Sequence, residues 1–119
     1  MNMKLLAIVT AILWNGGNVL AESVHLPQAI EHTKAAITHG EAGSHGGVEH
    51  TPLLVSNITT ALEHAKASEK AEHNPHTVEA VTHLSAAVDA AGKGDVAGGT
   101  EHAKVALKHL DLAAEPAKK

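Results

Sequence analysis

The sequence predicts an all-α protein, an up-down-up-down antiparallel four-helix bundle. Three observations predict it. Apolar residues recur at helical spacing through four segments, Gly, Pro and Asx signals fall between those segments, and histidine recurs within them at a seven-residue step. The histidine series are His25, His32 and His39; His50 and His64; His76 and His83; and His102 and His109. Seven residues are two helical turns, so each series makes one stripe with a step of about 10.5 Å.

A leader precedes the helices. Lys4 is a positive n-region, Leu5 to Leu13 an apolar h-region, and Val19-Leu20-Ala21 an A-x-A-like cleavage site. The expectation is a signal peptide over residues 1–21, cleaved after Ala21, and a periplasmic His-rich four-helix bundle over residues 22–119. A retained N-terminal anchor is the alternative. The apolar run is short for a membrane span, and no later segment is apolar enough to be one.

The first helix is expected from about Leu26 to His39, with Pro27 in its opening turn, ending in the Gly-rich stretch Gly40 to Gly47. Thr51-Pro52 reads as the cap and first residue of the second, which runs to about Ala71. Asn74-Pro75 repeats that signal for the third, which stops before Gly92-Lys93-Gly94. Asp95 caps the fourth, which continues to about Glu115 before Pro116, with Gly98 and Gly99 weakening its first turns. Short connections imply antiparallel neighbours.

The four segments are diverged copies of one unit. An apolar residue usually stands two before each histidine (Ile30, Ile37, Val55, Leu62, Val81, Val88, Leu107) and another one after (Ile58, Leu84, Leu110). That alternation reads as a heptad core at a and d, with histidine at c. Position g holds Ala29, Ala36, Ala61, Ala80, Ala87, Gly99 and Ala106, small residues that let neighbouring helices approach, with Leu54 the exception. The c-position histidines then flank alanine-lined seams.

Composition limits the chemistry. The chain has 13 acids against nine lysines, no Cys and a net charge of −4; loss of Lys4 with the leader leaves eight lysines. Such a balance argues against nucleic acid and against anionic membrane as partners. Cleavage would also remove Met1, Met3 and Trp14, leaving no soft ligand for Cu(I). No nucleophile–base pair, H-E-x-x-H helix or phosphate loop is present, so an enzyme is not expected. Neither C-x-x-C-H nor an aromatic pocket supports haem.

Imidazole with carboxylate suits Cu(II), Ni(II) and Zn(II), and the affinity order puts Cu(II) first. Candidate metal ligands are His25, His32, His39, His45, His50, His64, His73, His76, Glu79, His83, His102 and His109. Two histidines seven apart cannot share an ion, because metal–nitrogen bonds are only about 2.0–2.1 Å. Local clusters at four-residue spacing are His73, His76, Glu79 and His83 with Glu69 and Glu72, and Glu41, His45 and Glu49 beside His50. Other sites must join helices. Antiparallel threading should gather His25, His73, His76 and His109 at one end and His32, His64, His83 and His102 in the middle. The other end should gather His39, His45, His50 and Asp95.

The Glu–His pairs also read as plain helix-stabilising contacts, and the alanine stripe as packing. The leading expectation is non-catalytic, multisite metal buffering or sequestration by a monomer, with binding lost below about pH 6.5. A periplasmic helical adaptor or stress chaperone with pH-sensing histidines is the alternative.

The repeated units at Glu31 to His39 and Glu101 to His109, with the half-units Glu63-His64 and Thr82-His83, resemble the periplasmic small metal-binding protein family. The resemblance covers essentially the whole segment after the leader. It implies a His-rich four-helix bundle that binds several divalent ions, favours copper, and buffers metal or confers tolerance. Asn57 and Ala90 depart from the repeat where histidine is expected, which implies fewer or weaker sites.

Overall fold

A computed structural model describes residues 24–47 and 49–116; the expected leader lies outside them. They form four helices: α1 over residues 24–44, α2 over His50–Ala71, α3 over Pro75–Gly92 and α4 over Val96–Ala114. No strand occurs among the described residues, and none of their helices is long and apolar enough to cross a membrane. The four-helix bundle is as expected.

Two boundaries differ from the sequence reading. Helix α1 runs through Gly40 and Gly43 to residue 44 instead of ending at His39. A Cβ on Gly40 would lie 2.0 Å from Thr100 Oγ1, so this glycine is a contact point for α4, not a stop signal. Termination comes at Gly46, whose φ of 103° is the left-handed conformation glycine adopts without a steric penalty. Helix α2 begins at His50, with Glu49 at the N-cap, so Thr51 is not the cap. Pro52 still falls in the first turn, where its missing N–H costs no intrahelical bond.

The other starts are as read. Asn74 caps α3 by accepting from His76 N at 2.8 Å, with Pro75 next, and Asp95 caps α4 by accepting from Gly98 N at 2.8 Å. Gly94, at φ 90°, turns the chain between α3 and α4.

The core is rotated from the expected a/d seam. The fully buried residues lie three before and one after the histidine places: Ala29, Ala36, Leu54, Ala61, Ala80, Ala87 and Ala106 on one side, Thr33, Ile58, Ala65, Thr77, Leu84, Ala103 and Leu110 on the other. Ile30, Val55, Leu62, Val81 and Val88 are only half-buried and pack against that cluster. At about 100° per residue, the buried stripe is centred between these alanines and the residues after the histidines. Histidines therefore line one flank and branched aliphatics the other. Alanine on the axis lets helices approach closely. Helices α3 and α4 also approach closely, and a Cβ on Gly99 would meet Ala91 Cβ at 3.0 Å and Ala87 O at 3.2 Å.

Candidate metal centres

Each histidine flank of the bundle is shared by two helices, giving two separate ladders. In the α1–α2 seam, His25 Nδ1 faces His64 Nδ1 at 3.1 Å, His32 Nδ1 faces Asn57 Oδ1 at 3.1 Å, and His39 Nδ1 faces His50 Nδ1 at 3.2 Å. Each seven-residue step along α1 is matched by seven residues back along α2, as antiparallel pairing requires. The α3–α4 seam repeats this, with His76 Nδ1 and His109 Nδ1 3.5 Å apart and His83 Nδ1 and His102 Nδ1 3.4 Å apart. Its next rung holds Ala90 and Asp95, and Asp95 spends a carboxylate oxygen on the α4 cap.

Rungs are linked diagonally. His32 stacks on His64 with ring centroids 5.9 Å apart and planes at 9°, and His83 stacks on His109 at 5.9 Å and 8°. The hairpins α1–α2 and α3–α4 are thus equivalent in register: His25 corresponds to His76, His32 to His83, His64 to His109, and Asn57 to His102. Most of these rings are half-buried, held by the bundle edge yet open to solvent, whereas His76 is exposed.

A metal with nitrogen bonds of about 2.0–2.1 Å sets its nitrogens about 2.9 Å apart at right angles and about 3.3 Å apart in a tetrahedron. The four histidine rungs, at 3.1–3.5 Å, lie close to those separations. Each can supply two ligands and leave the remaining positions to water. The α3–α4 seam offers more: Glu79, His83 and His109 bring one ligand atom each within 4.8 Å of one another. Glu79 lies one turn before His83; the equivalent place before His32 is Gln28, an amide. The two seams therefore differ: the α3–α4 seam brings a carboxylate to its histidines, and among the described residues the α1–α2 seam forms no such three-ligand group.

The expected tiers are met in part. His39 and His50 meet at one end, His32 meets His64, His83 meets His102, and His76 meets His109. His25 joins His64 instead of the His73, His76 and His109 group, because the histidine flanks of α1 and α3 open into different seams. The local cluster around His73 is divided. Glu69 Oε1 pairs with His73 Nδ1 while Oε2 accepts from Asn74 N at 3.1 Å, closing the end of α2. Those bonds, the backbone N–H first, hold the Glu69 carboxyl below its ordinary range. The loop cluster is not assembled either. Glu41 pairs with Lys104 Nζ at 3.1 Å, and His45 and Glu49 are exposed. Glu41 and then Glu101 raise the Lys104 ammonium above its ordinary value, tying α1 to α4.

His64 is the hub of the α1–α2 seam, touching both His25 and His32. Burial, then the neighbouring His25 and His32, lower its pKa from 6.5; Glu63 opposes them weakly. Native His64 thus binds fewer protons than the unfolded chain near that value. The stability this contributes is complete above about pH 6.5 and is lost as pH falls through the lower native value. The metal-free protein should therefore have a lower urea midpoint at pH 5 than at pH 7.5, and His64→Gln should reduce that difference. An equal difference in the variant would contradict the assignment to His64.

Sequence reasoning missed the diagonal contact of His83 with His109 and the contact of His32 with Asn57, treated as a lost ligand. Pairing the seven-residue series of successive helices against one another would have found both. A family model described as "Small metal-binding protein" matches residues 1–113 of the chain. No curated protein matches it significantly.

Proposed function

Because the chain belongs to the small metal-binding protein family, we propose that it holds several divalent transition-metal ions at once, without catalysing a reaction, as a periplasmic buffer. The observation that carries this is the set of facing imidazoles at metal-bite separation, repeated along two seams. Catalysis by metal wants one closed, water-excluding centre. Half-buried rungs completed by water favour exchange over retention.

Neutral imidazole binds the metal, so protons compete with it. Cu(II) is the preferred cargo by the affinity order, with Ni(II) and Zn(II) following. The leader directs the chain to the periplasm and is removed after Ala21, leaving a monomer with the metal ions as its partners. Calorimetric titration with Cu(II) at neutral pH should show more than one ion per chain. Failure to bind Cu(II), Ni(II) or Zn(II) at micromolar concentration would overturn the proposal.

A further inference from the structure

We infer that Asn57 is a positioning residue: it holds His32 in the tautomer that leaves Nε2 free to bind metal. The inference rests on the metal-binding reading above and adds a residue to it. Two hydrogen bonds fix the amide. Asn57 Nδ2 donates to Leu53 O, one turn back on α2, at 2.9 Å. Its oxygen is therefore the atom facing His32 Nδ1 at 3.1 Å. An amide oxygen only accepts, so the proton of the neutral His32 ring sits on Nδ1 and the lone pair on Nε2.

The histidine rungs lack this asymmetry. There Nδ1 faces Nδ1, and either ring can hold the shared proton. Metal-bound histidines usually donate their second ring N–H to an oxygen acceptor, which sets the tautomer and makes the ligand nitrogen more basic. Asn57 supplies such an acceptor from the neighbouring helix. Stacking of His32 on His64 then restrains the ring plane beside the His25–His64 rung. What reads along the repeat as a missing ligand is, on this geometry, an outer support for a ligand already present.

The test uses long-range nitrogen–proton NMR of the metal-free full chain at neutral pH, followed by titration with Zn(II) alone. His32 should show its proton on Nδ1. Asn57→Leu should abolish that signature and weaken Zn(II) binding at the α1–α2 seam by about 10–100-fold, the usual cost of losing an outer-shell partner. Asn57→Leu should leave Zn(II) binding at the α3–α4 seam unchanged. A wild-type His32 protonated on Nε2, or a tautomer and seam affinity that ignore Asn57→Leu, would overturn the inference alone. Binding of none of Zn(II), Cu(II) or Ni(II) at either seam, with the tautomer as stated, would overturn the metal-binding reading and the positioning role with it.

Discussion

Each site saturated with Cu(II) or Zn(II) at neutral pH should raise the thermal midpoint of the protein by roughly 10–20 °C. The estimate follows from linkage. An ion present at a hundred times its dissociation constant, and bound only by the folded chain, adds about 2.7 kcal/mol per site. In a domain of this size each kcal/mol moves the midpoint by about 4–8 °C. The rungs meet the condition because their histidines come from different helices, so the pairing does not persist in the unfolded chain. Residual binding to unfolded histidines would lower the gain. Differential scanning calorimetry with metal, and again after chelation, measures it. The gain should be absent well below pH 6.5, where protonated imidazole no longer coordinates. An unchanged midpoint with metal bound would mean that the sites exist equally without the fold.

Leu84→Ala should cost about 2–5 kcal/mol, the range for deleting a buried leucine and leaving a cavity. That is a large share of the roughly 5–15 kcal/mol that holds a typical domain together. The reason lies in the core. Alanine supplies most of it, and the largest fully buried apolar side chains are Leu54, Ile58, Leu84 and Leu110. Few methylene groups carry the burial, so each one counts heavily. Neighbouring alanines have no long side chains to swing into the gap. Leu84 also follows His83, so loosening it disturbs the rung above. Val78→Ala, at a site 39 % exposed, should cost under about 0.5 kcal/mol and serves as the control. Urea denaturation of the metal-free variants measures both. A Leu84→Ala cost close to that of Val78→Ala would show that the core axis lies elsewhere.

The helical architecture was legible because it rests on local signals. Asn74-Pro75 and Asp95 act through their own helix starts, and the histidine step directly reflects helical period. Gly40 was misread because a glycine that ends a helix and one that admits a neighbour look alike along the chain. Only the approach of Thr100 separates them. The core axis was misplaced for a related reason. Hydrophobicity ranks Ile30 and Leu62 above Ala29 and Ala61, while close helix approach puts the smallest side chains innermost and the branched ones at the edge.

The candidate ligands were legible as residue types, but their grouping was not. Glu69 pairs with His73 as its four-residue spacing suggests, yet nothing in that spacing says that its second oxygen will accept from Asn74 N and close the end of α2. Asn57 shows the reverse. Its role follows from a residue on another helix and from a backbone carbonyl one turn away.

Separate metal binding by the two seams, α1–α2 and α3–α4, is the central proposal. The direct measurement is Cu(II) titration, followed by native mass spectrometry, of two seam-silenced variants beside the parent chain. One carries glutamine at His25, His32, His39, His50 and His64; the other at His76, His83, His102 and His109. Each variant should keep the ions of its intact seam, and the two counts together should equal that of the parent. Loss of all binding on silencing either seam, or a full complement in both variants, would contradict it.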